Sequence, residues 1–238
     1  NKSKAYNHNL SMPLDLALNL NLSPNDVLFA QTTVTYNKTR SRQGSEQTTS
    51  VVDSDEDVNR SNTLSHSLTD AVNTNSTVQY KHFHGKNSYK ITAQLNYRNS
   101  DKENLSNSLY TYFTDGNTVT DNQFTKSASH LLNTSIAAKA SNALGKSVLL
   151  NSGYSLNFKN EYSNNSVTRN DAYDAANSLR SDDNTTTNTF KLSSTINAGK
   201  LTISPEMGID FKHQRLEYRR GVLDTTATRN AVLPSPSL

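Results

Sequence analysis

The chain has 238 residues, a hydrophobic fraction of 33%, no cysteine and a formal net charge of +3. The mild charge gives no indication of a nucleic-acid partner, and the lack of cysteine excludes a disulfide framework and thiolate metal sites. The hydrophobic fraction is low beside the about 45–50%, with glycine counted, of ordinary globular domains, and no run of about 18 apolar residues exists to form a transmembrane helix.

Apolar and polar residues alternate over residues 14–22, and this stretch is the first predicted strand. Leucine occupies every second position, and Asp, Ala or Asn stands between the leucines. Successive side chains of a strand point to opposite faces, so this alternation predicts a strand with one apolar face. The turn-forming run Ser-Pro-Asn-Asp follows, and the alternation resumes over 28–36. The two stretches together predict a β-hairpin.

Three further hairpins follow the same plan. Each has two alternating stretches joined by a short turn that contains glycine, the residue that most readily adopts the backbone angles of a tight turn. The sequence therefore predicts about eight strands in four hairpins. The remaining predicted pairs are 68–82 with 89–98, 132–138 with 148–162, and 190–198 with 201–211.

The predicted connections differ in length at the two ends of the sheet. Those within hairpins are short, whereas those between hairpins are long and polar. No linker interrupts the pattern, so residues 1–238 are predicted to form a single β-barrel domain or a fragment of a barrel. The long outer loops are predicted at about 40–65, 99–128, 163–187 and 219–230.

The length of the alternating stretches favours a membrane protein. Ten residues of a strand tilted by about 40° rise roughly 26 Å, close to the roughly 25 Å apolar band of outer-membrane barrels. In lipid every backbone polar group needs an internal partner, which a closed antiparallel barrel provides. The predicted fold class is all-β: an antiparallel up-and-down meander of transmembrane β-hairpins that forms part or all of an outer-membrane β-barrel.

The alternation also assigns strand residues to two faces. The apolar side is predicted to face lipid and the other side to line a hydrated lumen. The predicted lipid-facing residues are Leu14, Leu16, Leu18, Leu20, Leu22, Ile91, Leu95, Leu156, Ile203 and Ile209. The predicted lumen-facing residues are Asn19, Asn21, Lys90, Gln94, Arg98, Lys159, Glu161, Glu206 and Asp210.

Two other classes of protein are compatible with parts of the pattern. A soluble, secreted β-rich adhesion or carbohydrate-binding module would also show alternating strands. The repeated difference between short turns and long loops favours the barrel over this alternative. A membrane-anchored enzyme is the third class, but no catalytic motif is present, so the chain is predicted not to be an enzyme and to need no cofactor.

The acidic run at 53–57 is the densest cluster of charge. A hard cation such as Ca²⁺ binds several carboxylate oxygens, so Asp53, Asp55 and Asp57 are a candidate metal site. The run lacks the glycine and the distal glutamate of an EF-hand loop. A solvated acidic loop is therefore the favoured interpretation.

Three segments of the sequence resemble segments that are typical of one known family. Residues 78–98 (VQYKHFHGKNSYKITAQLNYR) look like one of its hairpins, and residues 201–218 (LTISPEMGIDFKHQRLEY) look like a strand that enters a surface loop. Residues 229–238 (RNAVLPSPSL) are similar to its return from loop to strand. On these segments the sequence resembles the large outer-membrane β-barrel proteins of Bacteroidetes that are related to the TonB-dependent transporters.

The resemblance implies a barrel in the bacterial outer membrane that takes part in uptake or transport of a ligand. Full barrels of such transporters have about 22 strands around a plug, so the chain is expected to be an internal barrel segment. Its expected partners are outer-membrane lipid and, supplied outside this chain, a plug domain, an energy-coupling protein or a surface lipoprotein. No nucleic acid is expected.

Overall fold

The described part of the chain is built almost entirely of β-strands. A computed structural model describes residues 2–50, 57–113, 116–198, 201–221 and 223–237. No helix in these ranges could cross a membrane. The strands are β1 (Lys2–Ser23), β2 (Asp26–Ser50), β3 (Asp57–His84), β4 (Asn87–Tyr112), β5 (Thr118–Leu144), β6 (Val148–Arg169), β7 (Ala172–Tyr173), β8 (Leu179–Ala198), β9 (Leu201–Ile203), β10 (Glu206–Arg220) and β11 (Leu223–Ser237).

The strands form one antiparallel sheet in which sequence neighbours pair with each other. The order is β1-β2-β3-β4-β5-β6-β8-β10-β11, while β7 pairs with β6 and β9 pairs with β8. The predicted all-β, up-and-down meander is therefore confirmed. The sheet is open, because β1 and β11 stand at its two edges. Strand β11 adds a ninth long strand to the eight that the alternation predicts.

The long outer loops predicted between hairpins are mostly strand, so the prediction of loops there is wrong for the described residues. The β3–β4 ladder runs unbroken from His84↔Asn87 to Asn59↔Tyr112, and the loop predicted at 219–230 contains most of β11. These segments lack regular apolar alternation because most residues on both of their faces are polar, with isolated apolar side chains such as Leu105, Leu109 and Phe124 among them. They are rich in Ser and Thr and poor in Gly and Pro, and hydroxyl pairs such as Thr63–Ser108, at 3.0 Å, link the strands.

The predicted loop 163–187 contains a tight turn that carries β6 into β7. Asn170 and Asp171 both have positive φ, at 47° and 63°. Two consecutive residues of positive φ are the mark of a type I′ hairpin turn, and Asn and Asp are among the few residues that tolerate it. The segment after β7 folds back onto β6, where Val167 and Ser178 are each 4% exposed.

The sheet has no conventional hydrophobic core. Val167 is the one buried apolar side chain among the residues described, and strands contact only their partners in the sheet. A soluble domain normally covers the apolar face of a sheet with a second layer. Here the apolar side chains of the sheet remain uncovered by any second layer of the described residues.

Candidate functional site

The strand register sorts side chains onto two faces that continue across the whole sheet. Residues directly opposite each other in neighbouring antiparallel strands point to the same face. One such row begins at Leu18 on β1 and continues through Ala30, Val78, Ala93, Ile136, Leu156, Asn188, Phe211 and Val232. We call the face that contains this row the apolar face and its opposite the polar face.

All ten residues predicted to face lipid lie on the apolar face. The leucines of β1 connect through the ladders to Ile91, Leu95 and Leu156, and the pairing of β8 with β9 and β10 places Ile203 and Ile209 beside them. Their side chains are well exposed, with Leu16 at 59% and Ile91 at 53%. The structure therefore shows that these residues share one exposed face of the sheet.

All nine residues predicted to face a lumen lie on the polar face. Asn21 connects to Lys90 through Val27 and Lys81, and Gln94 and Arg98 follow four and eight residues further along β4. Lys159 and Glu161 form an ion pair on β6, and Lys159 also lies 3.9 Å from Asp183. Glu206 accepts a hydrogen bond of 2.8 Å from Lys191. Most of the remaining residues of this face are Asn, Gln, Ser and Thr, which suits a surface in contact with water.

The apolar face is apolar only within a band, and the upper edge of that band is slanted. Along β2, away from the short turn, Tyr36 is the last apolar or aromatic residue of this face before the first charged residue, Lys38. The row of Tyr36 reaches Glu217 on β10. On β10, however, the last such residue is Phe211, six residues nearer the short turns. Between β2 and β10, which are separated by six ladders, the upper edge is therefore displaced by six residues along the strands.

The lower edge of the band, on the side of the short turns, slants in the same direction. On β2 the band starts at Leu28, whose row reaches Phe190 on β8. On β8 the apolar residues continue to Ile196, six residues beyond Phe190. Leu144 and Val148 lie in the row of Ile196. We call the slanted region between the two edges the apolar band.

The slant of the band can be expressed as an angle. Six residues of strand measure about 20 Å, and six interstrand steps measure about 29 Å. The upper edge is therefore inclined by about 35° to the direction perpendicular to the strands. Strands of outer-membrane barrels are tilted by about 35–45° from the membrane normal. A band of constant height around such a barrel would cut the strands obliquely in this way.

Two pairs of polar side chains inside the apolar band are joined by hydrogen bonds. Thr32 donates a hydrogen bond of 3.0 Å to Ser76 on the next strand, and the Tyr154 hydroxyl donates one of 2.8 Å to Asn188. The rings of Tyr154 and Phe190 pack together with centroids 4.8 Å apart. Polar groups that satisfy one another in this way can be covered by an apolar solvent at low cost.

At the lower edge, just outside the band, the carboxylate of Asp26 makes three hydrogen bonds. The hydroxyls of Ser23 and Tyr80 donate to its carboxylate, each at 2.5 Å, and His82 Nδ1 lies 2.8 Å from it. The hydrogen bond from Ser23, followed by those from Tyr80 and His82, lowers the pKa of Asp26 to about 2. The carboxylate therefore fixes the first hairpin turn to β3.

Beyond the upper edge the apolar face carries ion pairs and mainly polar residues, with isolated apolar side chains such as Leu105 and Phe124 between them. Lys38 lies 3.3 Å from Asp70, and Lys126 lies 3.4 Å from Glu103. The pKa of Asp70 is lowered, chiefly by the hydrogen bond from the Tyr36 hydroxyl at the edge of the band. Such a surface belongs in water, since exposed ion pairs of this kind gain little and would be costly to desolvate.

The register also brings together four lysines that the sequence pattern does not group. Lys81, Lys90 and Lys139 lie directly opposite one another on β3, β4 and β5. The same row continues through Gly153 to Lys191. All four line a concavity of about 390 Å³ on the polar face, at the end of the sheet with the short turns.

The candidate metal site falls largely outside the described residues. Asp53 and Asp55 lie there, and Asp57 is placed only as the first residue of β3. In the part of the chain that the structure describes, no three side chains of His, Cys, Asp or Glu come together as a metal site would require. The Ca²⁺ hypothesis stays a hypothesis about that acidic segment.

No family model and no curated protein matches the chain. Among solved structures it is similar to the ferric-catecholate import receptor Fiu of E. coli K12 in its closed form, with a TM-score of 0.45 and 9% identity over 98% of this chain and 46% of that chain.

Two further similar structures were found. The ferric citrate transporter FecA in its unliganded form has a TM-score of 0.37 and 11% identity, over 96% of this chain and 41% of FecA. The alcaligin outer-membrane receptor FauA of Bordetella pertussis has a TM-score of 0.32 and 12% identity, over 95% of this chain and 40% of FauA. The chain thus spans less than half the length of each of these three proteins.

Proposed function

We propose that the sheet is a section of the wall of an outer-membrane β-barrel that takes part in uptake or transport of a ligand. The apolar band faces lipid, and the polar face lines a hydrated lumen. The residues assigned to lipid are the ten on the apolar face, from Leu14 to Ile209, and those assigned to the lumen are the nine on the polar face, from Asn19 to Asp210.

The slanted apolar band is the observation that carries this proposal. A second layer that covered the sheet in a soluble protein would bury an apolar patch, but such a patch has no reason to keep two parallel edges at a constant slant to the strands. A flat slab of hydrocarbon imposes that shape on tilted strands. Within the band, side chains such as Ile136 are exposed by 58%, and contact with lipid removes the cost of that exposure.

The two ends of the strands then lie on different sides of the membrane. Short turns close the hairpins near the lower edge, as at Gly85 between β3 and β4, and this side is assigned to the periplasm. The strands continue far beyond the upper edge as a polar, ion-paired extension, and this side is assigned to the exterior. Short periplasmic turns and longer extracellular segments are typical of outer-membrane barrels.

The open edges of β1 and β11 require additional strands. An unpaired strand edge cannot stand in hydrocarbon, because its backbone N–H and C=O groups would lack partners. The resemblance of residues 78–98 and 201–218 to barrels related to the TonB-dependent transporters of Bacteroidetes supports closure within a larger barrel, of which this chain is an internal segment. A plug domain, an energy-coupling protein or a surface lipoprotein would then be supplied by other segments or chains.

Accessibility of single spin labels in the membrane-embedded protein tests the proposal. The sequence contains no cysteine, so single cysteines can be placed at Ile91, Gln94 and Leu95 on β4 without background from this segment. Labels at 91 and 95 are expected to be relaxed by oxygen, which partitions into lipid, and a label at 94 by a water-soluble nickel complex. If all three labels respond mainly to the nickel complex, the soluble adhesion module becomes the better interpretation.

A further inference from the structure

The four lysines on the polar face form a row that the remainder of this face does not resemble. We propose that Lys81, Lys90 and Lys139 form a binding site for a small multivalent anion that carries phosphate or carboxylate groups. The proposed site follows from the strand register. It does not depend on whether lipid or water covers the apolar face.

Three like charges stand directly opposite one another in this row. Lys81 pairs with Lys90, and Lys90 pairs with Lys139, in consecutive ladders. Like charges at directly opposed positions of a sheet repel each other. Neighbouring strands are about 4.8 Å apart, so the three Cα atoms span only about 10 Å. An anion placed over the middle strand is within reach of all three flexible side chains.

The sheet supplies no carboxylate to these three lysines. Elsewhere on the polar face lysines are paired with acids, as Lys159 is with Glu161 and Lys191 with Glu206. Among the residues that the structure describes, no ion pair involves Lys81, Lys90 or Lys139 within 4.0 Å. The positive charge of these three lysines is therefore available to an anion bound from solution.

The surroundings of the row have the shape and chemistry of a small anion site. Gly153 leaves room beside the row, since a Cβ atom there would meet Lys139 Cγ at 3.7 Å. The concavity of about 390 Å³ is also lined by Ser88 and Asn151, whose hydroxyl and amide N–H groups can donate hydrogen bonds, while the Ser141 hydroxyl donates to Asn151 Oδ1. Glu206, the one acid on this lining, is already neutralised by Lys191. The volume suits a molecule with two or three anionic groups and not an extended chain.

Binding of inorganic pyrophosphate and of citrate to the purified, detergent-solubilised protein that contains this segment tests the site. Titration calorimetry of both probes distinguishes a phosphate site from a carboxylate site. Binding is expected to weaken as salt is added, since it rests on charge. Lys90→Gln and Lys139→Gln are each expected to weaken binding by tenfold or more.

Lys212→Gln is the matched control. Lys212 lies on the same polar face, but its opposite neighbours are the neutral Thr187 and Ala231, so its removal is expected to leave binding unchanged. Equal losses in Lys212→Gln and Lys90→Gln would overturn the proposal, because they would indicate a general effect of lumen charge. Failure of both pyrophosphate and citrate to bind would overturn it too, as would binding of an acidic peptide by a protein that binds neither of them. A failure of the spin-label test leaves these outcomes unaffected, so the two proposals fail separately.

Discussion

Ile136 lies directly opposite Leu156 in the ladder between β5 and β6, and both side chains are exposed, by 58% and 37%. Ser135, one residue earlier, lies opposite Asn157 and Gln94 on the other face. A single step along β5 thus passes from an exposed aliphatic cluster to a cluster of amides and hydroxyls. Two exposed aliphatic side chains in contact gain little in water, whereas in hydrocarbon they are in their preferred solvent.

Arginine substitutions at these two neighbours should differ sharply in their effect. Ile136→Arg places a charge inside the apolar band and is expected to lower the free energy of unfolding by about 2–4 kcal/mol. Ser135→Arg places the same side chain on the polar face and is expected to change it by less than about 1 kcal/mol. Denaturant-induced unfolding in lipid vesicles measures both. Equal effects of the two variants would contradict the assignment of the faces.

The carboxylate of Asp26 should titrate far below an ordinary aspartate. Its pKa is about 2, against 3.8 for an unperturbed aspartate. A lowered pKa means that the ionised form is favoured in the folded state. The resulting stabilisation is complete above pH 3.8 and is lost as the pH falls through about 2.

The hydroxyl of Tyr80 is one cause of that shift, and its removal is the test. Tyr80→Phe is expected to raise the pKa of Asp26 toward 3.8, as measured from the carboxyl ¹³C chemical shift during an acid titration. Tyr89→Phe serves as the control, because the Tyr89 hydroxyl donates to Asn142 and not to Asp26. An unchanged midpoint in Tyr80→Phe would show that the hydrogen bond is not formed.

The strands could be predicted from sequence where burial or lipid requires one apolar face. The alternating leucines of residues 14–22 have this pattern, because every second residue lies on the apolar face. Residues 40–50 lack it, since both of their faces are polar, and they were expected to be loop. In the structure they pair with β3 from Arg40↔Leu68 to Ser50↔Asp57. Pairing there depends on backbone hydrogen bonds and on polar cross-strand contacts, neither of which leaves a period in the hydropathy.

The lysine row shows a second limit of prediction from sequence. Lys90 was assigned to the polar face by alternation alone. Its neighbours Lys81 and Lys139 come from other strands, and only the register makes them opposite. A shift of one residue in either ladder would move them to the other face. The face of a residue is therefore a local property of the sequence, whereas its neighbours across the sheet are a property of the fold.

The folded-back segment after β7 is fixed to β6 by the Ser178 hydroxyl and by a hydrogen bond of 2.8 Å from the Asp174 N–H to the Val167 carbonyl oxygen, and the hydroxyl is expected to protect the Val167 amide. Ser178 Oγ accepts a hydrogen bond of 2.9 Å from the backbone N–H of Val167 and donates one of 2.7 Å to the carbonyl oxygen of Asp174. Both Val167 and Ser178 are almost fully buried. Ser178→Ala would leave the Val167 N–H buried without its partner, at a cost of about 1–3 kcal/mol.

Hydrogen exchange of the Val167 amide measures this cost locally. In Ser178→Ala the amide is expected to exchange faster by about tenfold or more, since a change of 1.4 kcal/mol corresponds to a factor of ten. Asn177→Ala is the matched control, because the Asn177 side chain bonds only to the exposed carboxylate of Asp174. Similar acceleration in both variants would mean that the segment opens as a whole whenever any of its contacts is lost, and the buried hydroxyl would then have no special role.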